Sequence, residues 1–135
     1  MTEAQTALSR RLVACKGFRW LPGMMRLRAT PPSRRDHLKR EGRVLDGGDT
    51  WDYAAWPVIP DVTDPATLGC LLALVREAWG LVAVSTLPDY DYDEEEARQG
   101  PNITGWHAVE TERWTTVGEG ATEAEALVAA LEGAP

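Results

Sequence analysis

Residues 89–96 hold the densest concentration of side chains that could bind another molecule. Six of the eight are acidic and two are tyrosines that alternate with aspartates: Asp89, Tyr90, Asp91, Tyr92, Asp93, Glu94, Glu95 and Glu96. Like charges at this density repel one another, so a solvated loop tip is the simpler interpretation. The same carboxylates and rings would also suit a basic cleft on another protein. We therefore predict that this acidic segment is the surface that binds a partner.

Residues 26–43 carry the opposite charge and support an alternative. Seven basic residues could contact phosphates there: Arg26, Arg28, Arg34, Arg35, Lys39, Arg40 and Arg43. Trp20 lies close enough in sequence to stack on a base, so the predicted nucleic-acid site is Trp20, Arg34, Arg35, Lys39 and Arg40. Neither a helix-turn-helix nor a zinc pattern accompanies them.

The charge is divided sharply along the chain. The formal net charge is −7, with eleven Lys and Arg against three acids in residues 1–45, and three Arg against eighteen acids in residues 46–135. Such a division can mark a nucleic-acid or acidic-partner face, or two halves that attract each other. The acidic half would repel a nucleic acid, which makes that alternative the weaker one.

Catalytic and metal-binding patterns are scarce. The two histidines, His37 and His107, lie in no catalytic motif, and the two cysteines, Cys15 and Cys70, have no metal-ligand spacing around them. The acidic segment has a glutamate where a calcium loop needs glycine, and a glycine where the loop needs glutamate. The sequence therefore predicts a protein that is not an enzyme and that needs no cofactor or metal.

Three stretches are predicted to be helices. The strongest covers residues 63–80, because Asp64 can cap it, Pro65 fits its first turn and Gly80 can end it. Its apolar stripe is Leu68, Leu71, Leu72, Val75 and Trp79. Residues 2–16 and 122–131 form the other two, since each begins with a threonine and a Glu or Gln at capping-box spacing.

Strands are predicted between these helices. Alternation predicts a strand over residues 25–29, and further strands over 81–87, 103–110 and 113–118. Residues 43–45 and 50–53 are predicted to form a hairpin around the turn at 46–49. Residues 30–42 are predicted to be a mobile loop, and residues 88–101 to interrupt the strand before them. Trp79 and Trp114 are predicted to be core residues, whereas Trp51 and Trp56 are candidate exposed anchors.

This order of elements predicts an α+β fold in which helices pack on a small antiparallel sheet. A helix–meander–helix unit (residues 63–135) would follow an N-terminal helix, basic loop and hairpin (residues 1–62) within one domain of 135 residues. The pattern leaves open whether the helices cover one face of the sheet or both. No stretch is apolar over a length that could span a bilayer.

Three segments resemble parts of small uncharacterised proteins of tailed bacteriophages. They are RLVACKGFRWLPGM (residues 11–24), PDVTDPATLGCLLALVREAWG (60–80) and GEGATEAEALVAALEGAP (118–135), about two fifths of the chain. The C-terminal half is also similar, more loosely, to the phage ABA sandwich domain, in which helices flank a small sheet. The resemblance implies a phage protein that works in the cytoplasm of the infected bacterium, and it transfers no site residues. We therefore expect an accessory protein that binds a host or phage macromolecule, for instance to inhibit a defence or expression factor; its oligomeric state stays open.

Overall fold

The computed structural model describes residues 1–29, 38–45, 58–80, 83–91 and 102–135. These residues form three helices and two antiparallel sheets of three strands each. The elements in chain order are α1 (Glu3–Ala14), β1 (Met25–Ala29), β2 (Leu38–Arg43), β3 (Val58–Pro60), α2 (Pro65–Trp79), β4 (Val84–Asp91), β5 (Asn102–Glu110), β6 (Thr115–Gly120) and α3 (Glu123–Glu132). The predicted α+β class and the meander between α2 and α3 are confirmed.

The chain divides into two compact units, Met1–Cys70 and Leu71–Pro135. The boundary falls inside α2, so that this helix contributes residues to each unit. The sequence placed a boundary between residues 62 and 63 instead, with all of α2 in the second part. That the two units make up a single domain stays a prediction.

In the first unit, β1 lies at the centre of its sheet. It pairs antiparallel with β2 on one side and with β3 on the other. Helix α1 packs beside β3, with Leu8 and Leu12 buried. Apolar side chains of α1, β1, β3 and the segments next to the strands form the core of the unit: Leu8, Leu12, Met24, Leu27, Val44, Val58, Ile59 and Val62.

In the second unit, β5 lies between β4 and β6, and α3 packs against the sheet. The helix and β6 approach closely at Gly118, where an added Cβ would lie 2.3 Å from the carbonyl oxygen of Ala126. Helix α2 reaches α3 through Trp79, whose indole N–H donates to the carbonyl of Ala130 at 2.8 Å. Twelve apolar residues form the core: Leu71, Leu74, Val75, Val84, Ala108, Val109, Ala124, Ala126, Leu127, Val128, Ala130 and Leu131.

The ends of the helices follow their sequence signals. Thr2 and Gln5 form a complete capping box at α1, and Thr122 and Glu125 form another at α3. The carboxylate of Asp64 accepts the backbone N–H of Thr67 at 2.9 Å, which caps α2. Helix α2 ends before Gly80, whose φ of +63° is the left-handed conformation that glycine adopts without strain.

The buried face of α2 differs from the predicted stripe. Leu71 and Val75 are buried as expected, but Leu74 is buried too, at 1% exposure. Leu68, Leu72 and Trp79 are only half-buried. The face is rotated because Thr67, a polar residue that the apolar pattern leaves out, is fully buried at its start.

Several predicted loops contain strands. Residues 38–42, predicted to belong to a mobile loop, lie in β2 and pair with β1. The segment before α2 contains β3, and β4 continues through Pro88 to Asp91 instead of ending at residue 87. Burial in β1 also departs from simple alternation, since Arg26 is buried along with Leu27. The predicted hairpin partner at residues 50–53 lies outside the described residues.

Candidate functional site

The sheet of the second unit has an inner face that packs on α3. The hydroxyl of Thr86 donates to the carboxylate of Glu123 at the start of α3, at 2.6 Å. Successive side chains of a strand point to opposite sides, so Leu87 lies on the other side of the sheet. The side chains of Leu87, Asp89, Asp91, His107 and Glu119 share this side, with His107 opposite both Leu87 and Glu119. Together with Tyr90 and Ile103, which pair with each other beyond a register shift that follows Asp89, they form the surface that we call the outer face.

An imidazole between two carboxylates lies at the middle of the outer face. Nε2 of His107 contacts the carboxylate of Asp89 on β4, and Nδ1 lies 3.3 Å from Oε1 of Glu119 on β6. The cluster therefore brings side chains of all three strands together, with a hydrogen bond only between His107 and Asp89. Nδ1 is buried and makes no hydrogen bond within the described residues. His107 thus lies on the surface of the strand, while His37 lies outside the described residues.

Three apolar side chains are exposed beside these charges. Leu87 is 40% exposed, Tyr90 is 44% exposed and Ile103 is 53% exposed. Asp89 and Asp91 are exposed on β4 next to them. Apolar side chains grouped within a charged rim are typical of surfaces that bind other proteins. The outer face is therefore the candidate site.

Only part of the predicted acidic segment can be placed on this face. Asp89, Tyr90 and Asp91 form the end of β4, so this part is strand and not the predicted loop. Tyr92, Asp93, Glu94, Glu95 and Glu96 lie outside the described residues. Only Asp89, Tyr90 and Asp91 of this surface belong to the predicted segment. The sequence assigned no site to the other members, which are Leu87, Ile103, His107 and Glu119.

The free edge of β4 is poorly suited to pairing with another strand. The N–H of Thr111 donates to the carbonyl of Ala83 at 2.8 Å, so the backbone groups of odd-numbered β4 residues point towards β5. Even-numbered residues then point outward. The outward carbonyl of Val84 accepts two hydrogen bonds from Arg76, and Pro88 has no N–H to donate. Pairing of another strand along this edge is therefore interrupted at Val84 and at Pro88.

Two arginines of residues 26–43 are engaged within the first unit. Arg40 donates to Asp61 through Nε at 2.9 Å and Nη2 at 2.8 Å. Arg43 makes a bidentate pair with Asp64, at 2.7 and 2.8 Å. Both carboxylates are buried, whereas both guanidinium groups are partly exposed. These pairs support the interpretation in which opposite charges attract within the chain.

The carboxylate of Asp64 is stabilised in its charged form. Hydrogen bonds from the guanidinium of Arg43 hold the pKa of Asp64 well below its usual range, with further help from the N–H and hydroxyl of Thr67. Burial opposes this shift but is outweighed. The same hydroxyl of Thr67 accepts the N–H of Met25 at 2.9 Å. One carboxylate thus caps α2 and joins it to β2.

The remaining members of the predicted nucleic-acid site are dispersed. Trp20 is half-buried and makes an edge-on contact with Phe18, with ring centroids 5.5 Å apart. Lys39 is exposed on β2, and Arg34 and Arg35 lie outside the described residues. Arg28 and Arg26 also face acceptors of the first unit: Glu41 at 2.7 Å and the carbonyl of Gly42 at 3.3 Å. Nucleic-acid binding stays a prediction, and these contacts lower its support.

The cysteines show no sign of an activated thiol. The thiol of Cys15 donates to the carbonyl of Arg11 at 3.4 Å, and that of Cys70 donates to the carbonyl of Pro22 at 3.5 Å. Burial raises the pKa of the Cys70 thiol, which disfavours the reactive thiolate. Within the described residues, no group of three or more His, Cys, Asp or Glu side chains is arranged to hold a metal ion. That the protein is not an enzyme stays a prediction.

Trp114 contradicts the prediction that it belongs to the core. Its side chain is 70% exposed, on the turn between β5 and β6. Its backbone φ is +54°, a left-handed conformation that bulky residues rarely adopt. The sequence placed Trp114 inside a strand over residues 113–118, whereas β6 begins only at Thr115. Trp51 and Trp56, the predicted exposed anchors, lie outside the described residues.

Comparison of the chain with family models, curated proteins and solved structures gives no match. Among the described residues, no helix combines the length and the hydropathy that crossing a membrane requires.

Proposed function

We propose that this protein is a non-enzymatic binding protein that recognises a positively charged surface of another protein through its outer face. The proposal is carried by one observation: Leu87, Tyr90 and Ile103 are exposed on two adjacent strands, beside the carboxylate of Asp89. The apolar side chains would supply burial on binding, and the carboxylates would select a basic partner. The remaining acids of residues 89–96 add to the same negative charge.

The resemblance to small phage proteins supplies a setting for this binding. We propose that the chain is a phage accessory protein and that it acts in the cytoplasm of the infected bacterium. Its partner is then a host or phage protein whose own ligand is acidic, such as a factor that binds nucleic acid. An acidic face could occupy the basic cleft of such a factor and inhibit it.

Charge neutralisation provides the test. Asp89→Asn combined with Asp91→Asn removes two negative charges from the outer face. As a control, Glu3→Gln combined with Glu132→Gln removes two negative charges from exposed positions on helices. We expect the first pair to lower capture of a defined host protein at least tenfold in a pull-down at low salt, and the second pair to leave it unchanged. Equal capture by both variants and the wild type would refute the proposal.

A second pair of variants tests the apolar contribution. Tyr90→Ser and Ile103→Ser keep every charge but remove exposed apolar surface from the outer face. We expect capture to fall at all salt concentrations, because apolar burial is not screened by ions. Leu45→Ser is the matched control, since Leu45 is 71% exposed in the first unit.

A further inference from the structure

The turn that carries Trp114 is held in place by specific hydrogen bonds. The buried carboxylate of Glu110 accepts the backbone N–H of Glu112 at 2.8 Å and that of Arg113 at 2.9 Å. The hydroxyl and the N–H of Thr111 both donate to the carbonyl of Ala83, at 3.0 and 2.8 Å. The turn therefore presents its exposed indole ring from a fixed backbone. A backbone that is already fixed lowers the conformational entropy that is lost on binding.

The backbone at Trp114 is strained by the residue that occupies it. At a φ of +54° a Cβ atom approaches the following carbonyl, which glycine avoids and asparagine tolerates. Because the indole ring is 70% exposed, its packing contacts stabilise the fold little and do not offset this strain. Strain at an exposed residue is characteristic of sites where function rather than stability determines the side chain.

We propose that Trp114 is a separate anchor that inserts into an uncharged apolar pocket of a folded partner protein. The neighbouring side chains, Glu112 and Arg113, are both exposed and carry opposite charges, so the turn has no net charge to attract an ionic ligand. The chain carries a net charge of −7, which opposes stacking on a nucleic acid or insertion into an anionic bilayer. A protein pocket is the remaining partner that a rigid, electrically neutral tryptophan fits.

This anchor is independent of the outer face. Trp114 follows the end of β5, whereas Ile103 lies near the start of that strand. The anchor could therefore fail its test while the outer face passes, or the reverse.

Stability measurements give the first test. Trp114→Gly and Trp114→Asn relieve the strained φ, so we expect roughly a threefold or larger rise in the folding equilibrium constant in urea titrations. Trp114→Ala removes the ring but keeps the strain, so this variant should be less stable than Trp114→Gly and Trp114→Asn. If Trp114→Gly folds less stably than the wild type, the ring serves packing and the proposal is wrong.

Cross-linking gives the second test. A photoreactive benzoylphenylalanine at Glu112 lies two residues from the indole, and it is placed in the full chain in the wild-type, Trp114→Gly and Leu45→Ser backgrounds. In the native host we expect one cross-linked protein of defined mass, at least tenfold weaker with Trp114→Gly and unchanged with Leu45→Ser. The proposal would be overturned by a cross-linking yield that is the same with and without Trp114→Gly. It would also be overturned by cross-links only to nucleic acid, lipid or a second copy, or by the absence of any cross-linked protein.

Discussion

Replacing Gly118 with alanine tests the close packing of β6 on α3. The new Cβ would lie 2.3 Å from the carbonyl oxygen of Ala126, and 2.5 and 2.7 Å from the backbone N and the Cβ of Ala130. Contacts of this kind are normally 3.4–4 Å, so strand and helix must separate by about an ångström. All the obstructing atoms are backbone or Cβ atoms, which no change of rotamer can move away.

We expect Gly118→Ala to lower the free energy of unfolding by about 3 kcal/mol, the upper part of the range for overpacking in a core. Urea denaturation followed by tryptophan fluorescence and far-UV circular dichroism measures this change. Two glycines provide controls. Gly69→Ala in α2 meets no atom within 4 Å and should stabilise the helix by about 0.5–1 kcal/mol.

Gly105→Ala is the control within the same sheet. Its Cβ would lie 3.4 Å from the carbonyl oxygen of Gly120 and 3.7 Å from the carboxylate of Asp89. We expect a change within about 1 kcal/mol of zero. If Gly118→Ala also lowers the free energy of unfolding by less than about 1 kcal/mol, α3 and β6 are not closely packed at this position.

Three further predictions concern stability and binding. Because Arg43 keeps the pKa of Asp64 low, the charged pair should stabilise the fold fully above about pH 4 and progressively less below it. The difference in unfolding free energy between wild type and Asp64→Asn should thus shrink in acid; a difference independent of pH would contradict this. Leu74→Ala should lower the free energy of unfolding by about 2–5 kcal/mol in urea denaturation, and Leu72→Ala should lower it clearly less because Leu72 is half-buried. The reverse order would show that the buried face of α2 is the one predicted from the sequence. A gel shift with double-stranded DNA at low salt should show no complex, since Arg40 and Arg43 are engaged by buried carboxylates; a complex that weakens steeply with salt would revive the nucleic-acid alternative.

The helices were predictable because their signals are local. Thr2, Asp64 and Thr122 each cap a first turn with their own side chain, and such contacts depend only on residues three or four positions away. The three-stranded meander also followed from the sequence, as did the α+β class. The start of the candidate site was predictable for the same reason, since the run of acids is visible without a structure.

The failures arose where a distant partner decides the outcome. Residues 38–43 look polar and irregular, and only pairing with β1 and the buried Asp61 and Asp64 makes them a strand. Thr67 is polar in the sequence but buried, since its hydroxyl serves both Asp64 and Met25. His107 joined the site only through strand register, which brings Glu119 directly opposite it.

Pro88 has a consequence for the behaviour of the protein at high concentration. A strand with a free edge that also displays leucine and tyrosine side chains is a template on which further chains can assemble into insoluble fibrils. With a proline facing outward and the carbonyl of Val84 already bonded to Arg76, that template is interrupted at two points. These two positions therefore limit the stacking of further chains along an edge that lies next to the exposed side chains of Leu87 and Tyr90.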